Sequence, residues 1–133
     1  MLIVNRTIER AESLSLEMDC SFMGLESEAL EEQIHDFDDL IVQTTVAGLS
    51  SSPNEGLDPI RKVTLTGNEI IYDIVAAPLE TPLIKRAKKQ GCLVIYGIEM
   101  LLAQAYVQFK IMTSTNFPVK IKKELNQWAM TSF

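Results

Sequence analysis

Two arginine side chains near the start of the chain have a spacing that suits phosphate binding. Arg6 and Arg10 are four residues apart at the start of a predicted helix, so their guanidinium groups share one helix face. The first amides of a helix attract anions, and arginine binds phosphate through parallel hydrogen bonds. Asn5 and Thr7 add polar side chains at the same turn. The pattern predicts a phosphate site, although an arginine-rich helix start without a ligand is an equally compatible interpretation.

A short strand precedes these arginines, and an amphipathic helix contains them. The strand is predicted at 2–4, and Thr7 is the predicted N-cap of the helix. The apolar stripe of this helix consists of Ile8, Ala11, Leu14 and Met18. In a doubly wound dinucleotide-binding fold, the residue that ends the second strand faces the adenine ribose, where an arginine accommodates the 2′-phosphate of NADP. The polar turn at 5–7 is compatible with that position.

The strongest fold signal is the stretch 68–108. A nearly unbroken apolar run at 70–75 predicts a strand buried on both faces of a parallel sheet. Thr81 is the predicted N-cap of a helix that ends at Gly91. A second apolar run at 92–96 and a further helix complete a βαβα unit, whose connection is long enough to return the chain parallel.

The rest of the chain continues this alternation. The predicted elements are a weak strand at 20–25, a helix at 27–35 with Ala29, Leu30 and Ile34 inward, a buried strand at 39–45, a loop at 48–59, and C-terminal helices at 98–114 and 118–130, the last with Ile121, Leu125, Trp128 and Ala129 on one face. Alternating strands and helices predict an α/β domain with a parallel sheet. We expect a single domain over 1–133.

Composition and charge exclude several classes of protein. A chain of 133 residues with 47% hydrophobic residues can bury the core of one domain. The net charge of −6 argues against nucleic acid as a main partner. No apolar run approaches the roughly 20 residues that span a bilayer, and the start has no basic leader, so we predict a cytoplasmic protein without membrane contact.

The cysteines, the histidine and the late basic residues suggest no further site. Cys20 and Cys92 lie far apart and His35 is the single histidine, so no metal site is predicted and both thiols are expected to be reduced and mostly buried. His35 is expected to be solvated or to cap its helix. The basic residues Lys85, Arg86, Lys88 and Lys89 are expected to form a solvated helix face.

Several blocks of the sequence together resemble the cofactor-binding half of the shikimate dehydrogenases. The specific blocks are PLETPL at 78–83 and GxEMLxxQA at 97–105, and NRT at 5–7 supports them. The resemblance runs from the first residue almost to the last. It implies an incomplete doubly wound (Rossmann-like) parallel sheet flanked by helices, with the first strand missing. It also implies an enzyme of aromatic amino acid biosynthesis that moves a hydride between NADPH and the carbonyl of 3-dehydroshikimate or a related cyclic polyol acid.

The resemblance assigns roles to individual residues. The adenosine 2′-phosphate would be held by Asn5, Arg6, Thr7 and Arg10, and Thr45 would lie along the cofactor. At the nicotinamide, Ile74 would lie against the ring, Met100 would pack beside it, and Gly97 would offer its backbone to the carboxamide. Gln104 would hydrogen-bond the substrate. Two alternatives remain open. Met100 is equally compatible with a core position, and Gln104 with a water-bonded polar side chain, although its alanine neighbours suggest a polar partner.

Some parts of the family pattern are not recognised in residues 1–133. The family places its catalytic Lys and Asp in a separate substrate domain, and its cofactor fold begins with a strand and a glycine-rich turn. No GxGxxG cluster occurs here. Ala76 stands where the family commonly has Tyr, Gln43 replaces a different polar residue, and Tyr96 replaces Asn or Asp. We therefore expect a truncated shikimate dehydrogenase-like protein, without catalytic residues of its own and inactive as this isolated chain.

The missing strand predicts a gap in the sheet. In the doubly wound order 3-2-1-4-5-6, the first strand lies between the second and the fourth. The second strand can close against the fourth, a neighbouring chain can lend a strand, or the N-terminal segment can detach. The alternative function is accordingly a non-catalytic nucleotide-binding or interaction module that forms a homodimer or a strand-swapped pair through its open edge. A fragment without independent function is the third interpretation.

Overall fold

The computed structural model describes residues 1–37 and 39–132, so positions 38 and 133 of the predicted domain lie outside the described residues. The elements are β1 (Leu2–Asn5), α1 (Ile8–Met18), β2 (Ser21–Gly24), α2 (Leu30–Ile34), β3 (Leu40–Gln43), β4 (Ile70–Asp73), α3 (Pro82–Gln90), β5 (Leu93–Tyr96), α4 (Gly97–Thr113) and α5 (Val119–Ser132). Strands and helices alternate up to α4, as the sequence predicts, except that β4 follows β3 without an intervening helix. None of the described helices is both long enough and apolar enough to span a bilayer.

All pairs of neighbouring strands are parallel, but they form two sheets. One sheet has the order β1-β2 and the other has the order β3-β4-β5. In the second sheet Leu40 is opposite Ile70, which is opposite Leu93. The α/β class with an incomplete parallel sheet is therefore confirmed. The weak strand at 20–25 is also real, since β2 pairs with β1 along its length.

The predicted gap is present between the two sheets. Within the described part of the chain, β1 pairs with β2 and β3 pairs with β4, so β1 has not closed against β3. The N-terminal segment has not detached either, because Val4 and Met23 pack against the main buried cluster. A strand lent by another molecule remains a prediction.

The core lies between the three-stranded sheet, α2 and α3. Ile71, Leu83, Ile84 and Ala87 are almost completely buried, and they belong to one cluster with Leu30 and Ile34 of α2. The bounds of α3 follow the predicted capping residues. Thr81 Oγ1 accepts a hydrogen bond from Ile84 N at 3.2 Å, and Gly91 ends the helix with φ = 89°.

The second face of the three-stranded sheet is largely uncovered, which corrects the prediction of strands buried on both faces. The outer sheet face consists of Leu40 and Val42 of β3, Ile70 and Tyr72 of β4, and Leu93 and Ile95 of β5. Leu40, Val42 and Leu93 are 49%, 47% and 69% exposed. Side chains alternate between the faces of a strand, and the core with α3 occupies only one face. The apolar runs identify the strands but not the presence of a covering layer.

Three helices also bury less apolar surface than the sequence predicts. Helix α1 buries Ala11 and Ser15, whereas Ile8, Leu14 and Met18 are about half exposed. Residue 29 is an exposed N-cap, so the inward position predicted for it is wrong and α2 is a short helix of five residues. In α5 the predicted stripe is buried only at one residue, Ala129.

Aromatic side chains of α4 contact both the segment that precedes α5 and α5 itself. The ring of Phe117 lies 4.9 Å from that of Tyr106 and 5.0 Å from that of Phe109. The Lys122 ammonium lies 4.6 Å from the Tyr106 ring. The helices predicted at 98–114 and 118–130 thus form an α-helical pair whose outer surface is largely exposed.

The predicted solvated face of α3 contains one residue that is not solvated. The Arg86 guanidinium donates to Asp58 Oδ2 at 2.6 Å and to the carbonyls of Val63 and Ile60 at 2.8 and 3.0 Å. This arginine therefore anchors the connection before β4 to α3. Of the two cysteines predicted to be mostly buried, Cys92 is buried and Cys20 is half-buried.

Candidate functional site

Polar residues end the strands on the side where a doubly wound fold binds its ligand. Asn5, Gln43 and Asp73 are the last residues of β1, β3 and β4. The carboxyl ends of parallel strands meet at one edge of a sheet, and ligands of such folds bind in the crevice outside that edge. The candidate site is therefore the set of turns that follow these strands.

The turn between β1 and α1 is shaped by Asn5. Its Oδ1 accepts a hydrogen bond from Thr7 N at 2.9 Å, and the carbonyl of Thr7 accepts the bond from Arg10 N at 3.1 Å. Thr7 occupies the N-cap position as predicted, but its side chain makes no capping bond. The side chain that organises the start of α1 is thus that of Asn5.

The two arginines of this turn have the exposure that a phosphate site needs. Arg6 and Arg10 are both exposed, and neither forms an ion pair with a carboxylate of the described residues. The first amides of α1 have no intrahelical acceptor. Two free cations and a helix N-terminus fit an anion such as the 2′-phosphate of NADP. The assignment of these residues to a phosphate stays a prediction.

The turn after β3 is held by Gln43. Its Oε1 accepts from Thr45 N, and its Nε2 donates to Ala47 O at 3.1 Å. Thr45 in turn accepts from Ala47 N through its hydroxyl oxygen at 3.1 Å. Gln43 is 5% exposed, whereas Thr45 is exposed. Gln43, one of the residues that depart from the family pattern, therefore fixes the position of Thr45.

A buried carboxylate connects this turn to the next strand. Asp73 is 1% exposed and accepts hydrogen bonds from Gln43 Nε2 at 3.2 Å, Val75 N at 3.0 Å and Thr81 Oγ1 at 2.7 Å. Burial raises the pKa of Asp73 and outweighs these three hydrogen bonds, which lower it; the charge of Asp58 adds to the increase. Asp73 thus links the ends of β3 and β4 to the start of α3.

The segments that follow β3 and β4 also contact each other directly. Gly48 has φ = 84°, and a Cβ atom there would lie 2.8 Å from the Thr81 Cβ. The Ser50 N–H donates to the Ala77 carbonyl at 3.0 Å. Glycine at position 48 therefore permits both the left-handed backbone and the close approach to the start of α3.

Two residues that were predicted from the resemblance to lie at the nicotinamide end pack side by side. A Cβ atom at Gly97 would lie 2.5 Å from the carbonyl carbon of Ile74, so the backbone of the first α4 residue packs directly on the segment after β4. The Tyr96 N–H donates to Glu99 Oε2 at 3.0 Å and fixes the start of α4. Ile74 and Gly97 are brought together, as roles at one end of a cofactor require.

The last two predicted residues lie further along α4. Met100 is half-buried, and Gln104 is exposed, as are Ala103 and Ala105. The alanine neighbours therefore do not indicate a buried polar partner, which corrects that part of the argument for Gln104. The substrate role itself stays a prediction.

Sequence reasoning passed over Asp73 and Glu69. Both are 1% exposed; Glu69 precedes the apolar residues of β4 and Asp73 follows them as the last residue of the strand. A carboxylate at the edge of such a run rarely becomes fully buried without partners, and this was the signal available in the sequence. Among the described residues, no group of three potential metal ligands occurs.

The residues present fit two ends of a dinucleotide cofactor. The turn at 5–7 with Arg10 fits a ribose phosphate, and the packing of Gly97 on Ile74 brings together the two residues predicted for the nicotinamide end. Residues 1–133 contain no glycine-rich turn for the pyrophosphate. The fit therefore concerns the ends of the cofactor and not its centre.

Comparison with known proteins identifies one group of relatives. No protein-family model matches the chain. A shikimate dehydrogenase (NADP(+)) of Maridesulfovibrio salexigens is 36% identical over 125 residues, which are 94% of this chain and 44% of that enzyme. A solved shikimate dehydrogenase in complex with NADP+ has a TM-score of 0.73 and 31% identity, covering 98% of this chain and 45% of that one.

A third similar protein supports the same arrangement of elements. A solved shikimate 5-dehydrogenase-like protein has a TM-score of 0.79 and 25% identity, and the match covers 96% of this chain and 45% of that one. Both sheets therefore lie within one matched fold. The chain spans less than half the length of the relatives that it matches.

Proposed function

The chain belongs to the shikimate dehydrogenase family, and from this premise we propose that residues 1–133 form the cofactor-binding half of an NADP-dependent oxidoreductase. The proposed reaction is the interconversion of 3-dehydroshikimate and shikimate, or of a related cyclic polyol acid. The single observation that carries the proposal is the turn after β1, where Asn5 shapes a helix start beside two exposed arginines that have no carboxylate partner among the described residues. The proposed compartment is the cytoplasm, in keeping with two free thiols.

The proposed roles follow the position of each residue. Asn5, Arg6, Thr7 and Arg10 bind the 2′-phosphate, Thr45 lies along the cofactor, Ile74, Gly97 and Met100 surround the nicotinamide, and Gln104 binds the substrate. The reduced cofactor supplies the hydride. The chain's own residues bind and orient it, because no described side chain at this site combines the position and the chemistry of a general acid and base.

Residues 1–133 alone are proposed to be inactive. A positioned general acid and base typically contribute about 10²- to 10⁴-fold to a rate, and in this family those groups lie outside the matched part of the chain. NADP-dependent oxidation of shikimate by purified residues 1–133, measured as NADPH absorbance, would contradict the inactivity and leave the cofactor assignment standing.

A binding titration tests the cofactor proposal. We expect residues 1–133 to bind NADPH more tightly than NADH by about 10-fold or more, because a charge-assisted hydrogen bond is worth about 1.5–3 kcal/mol. Arg6→Ala should remove this difference by weakening NADPH binding alone. Arg61→Ala, which removes an exposed arginine far along the chain, is the matched control and should leave the preference intact. Equal affinities of the two nucleotides for the unmodified chain would refute the proposal.

The alternative proposal is an interaction module that pairs with a second copy of itself. It is favoured by the open edges of β1 and β3 in the described part of the chain and by the outer sheet face. Unpaired strand edges present free N–H and C=O groups that pair readily with another strand. Light scattering at micromolar concentration distinguishes the two states. A dimer supports this alternative, and a clean monomer argues against it.

A further inference from the structure

Asp73 occupies a junction of three segments that lie at the candidate site. Its two carboxylate oxygens accept from the end of β3 through Gln43, from the segment after β4 through Val75 N, and from the start of α3 through Thr81. None of these donors belongs to the same element as another. Loss of the carboxylate would therefore release all three segments together.

The Gln43 side chain transmits this restraint to the turn after β3. The amide that donates to Asp73 also donates to Ala47 O, and its oxygen accepts from Thr45 N. Both polar atoms of the side chain are thus used, and its orientation is fixed by Asp73. The position of Thr45 therefore depends on the Asp73 carboxylate, which lies thirty residues after Gln43 in the sequence.

On the other side, Asp73 fixes the residue that follows it. The bond from Val75 N closes a tight turn around Ile74, whose carbonyl is packed against Gly97. Thr81 Oγ1 donates to Asp73 and accepts from Ile84 N, so the same hydroxyl caps α3. Two sets of contacts therefore restrain the backbone at Ile74: the hydrogen bonds to the Asp73 side chain, and the packing of Gly97 at the start of α4.

We propose that Asp73 is a positioning residue, which holds the turn at 44–48 and the segment at 74–81 so that Thr45 and Ile74 face the cofactor. This inference rests on the proposed NADP-binding function. The Asp73 side chain is itself buried, and it affects cofactor binding by fixing the positions of these two segments. Its contribution to binding is therefore indirect and depends on hydrogen-bond acceptance.

The chain supplies a matched control at the other end of the same strand. Glu69 precedes β4, is equally buried, and accepts from Thr66 N at 2.7 Å and Gly67 N at 2.9 Å. Its network lies at the amino end of the sheet, away from the candidate site. A purely structural role for Asp73 predicts that both carboxylates affect cofactor binding equally, whereas a positioning role predicts that only Asp73 does.

The experiment compares three variants by NADPH titration under conditions where each is fully folded. Asp73→Ala should weaken NADPH binding by about 10-fold or more. Asp73→Asn should remain within about threefold of the unmodified chain, because its Oδ1 still accepts from Gln43 and Val75. Glu69→Gln should leave the affinity unchanged. Equal losses in Asp73→Ala and Glu69→Gln, or no loss in Asp73→Ala, would overturn the proposal.

Amide hydrogen exchange separates this inference from the proposed function. Asp73→Ala should accelerate exchange at Thr45, Ala47 and Val75, Asp73→Asn should not, and the result does not require a bound nucleotide. If the unmodified chain fails to bind NADPH, the cofactor proposal fails while exchange still decides whether Asp73 holds the turns. If Asp73→Ala does not fold, Gln43→Met removes the shared donor at similar volume and should accelerate exchange at Thr45 and Ala47. Unchanged exchange in that variant would refute the inference.

Discussion

At the scale of single residues, the buried carboxylates at the two ends of β4 have pKa values that are shifted in opposite directions, although burial raises both. Burial is the largest influence on the pKa of Glu69 and raises it, but hydrogen bonds from Thr66, from its own backbone and from Cys92 together outweigh burial and lower the pKa to about 2. For Asp73 burial prevails and the pKa is raised. The difference lies in the donors, since backbone amides of a tight turn converge on Glu69.

The lowered pKa of Glu69 predicts a dependence of stability on acid. Its ordinary value is 4.5 and its folded value is about 2, so the ionised carboxylate stabilises the fold above pH 4.5, and this contribution is lost as the pH falls from 4.5 to 2. At neutral pH it amounts to about 3 kcal/mol. Urea unfolding of Glu69→Gln should show a loss of this order at pH 7 and a much smaller loss near pH 2. Glu17→Gln, on the exposed side of α1, is the control and should not change the free energy of unfolding at pH 7 or at pH 2. Equal losses for Glu69→Gln at the two pH values would contradict the lowered pKa of Glu69.

The residues of the exposed turns were easier to predict from the sequence than the buried residues that hold these turns in place. Asn5 and Thr7 were predicted to share a turn, and they do, because both lie within one local hydrogen-bonded unit. Asp73, Gln43 and Thr81 were not predicted to meet, because their contact depends on the pairing of β3 with β4 and on the packing of α3. Local spacing cannot report a contact that tertiary structure creates.

At the scale of elements, the start of α4 is determined by one close backbone contact. Gly97→Ala adds a methyl group 2.5 Å from the Ile74 carbonyl, and backbone cannot yield as a side chain can. We expect a loss of about 1–3 kcal/mol in the free energy of unfolding, measured by urea denaturation, with the helix content of α4 retained because alanine favours helix. Gly56→Ala is the control, since nothing lies within 4 Å of its added Cβ. Equal effects at the two glycines would refute this account of the contact.

The elements themselves were largely predictable from capping residues and apolar periodicity. Thr81 and Gly91 fixed both ends of α3 correctly, because caps act through bonds to neighbouring residues. The burial of β3, and of β4 on both faces, was predicted wrongly, because Leu40 and Val42 are about half exposed and Ile70 and Tyr72 are only half-buried. An apolar run indicates that a strand can be covered on both faces, while the covering layer is a property of other segments.

At the scale of the whole molecule, the outer sheet face is an exposed apolar surface that a second copy of the chain could cover. Substituting Leu93, which is 69% exposed, by lysine should reduce any self-association of the chain without lowering its free energy of unfolding, because an exposed side chain contributes little to folding. Light scattering and urea unfolding measure the two effects. Leu16→Lys, at a residue of α1 that is 80% exposed, is the control. If Leu93→Lys and Leu16→Lys change the light scattering equally, the outer sheet face is not an association surface.

The gap between the two sheets also affects how the molecule unfolds. No backbone hydrogen bond joins residues 1–25 to β3, β4 or β5 in the described part of the chain, and side-chain packing such as that of Val4 and Met23 carries the connection. Contiguous supersecondary units of this kind open independently, at a free energy below that of global unfolding. We therefore expect the βαβ unit of β1, α1 and β2 to open as a separate foldon, and the arginine pair to open with it.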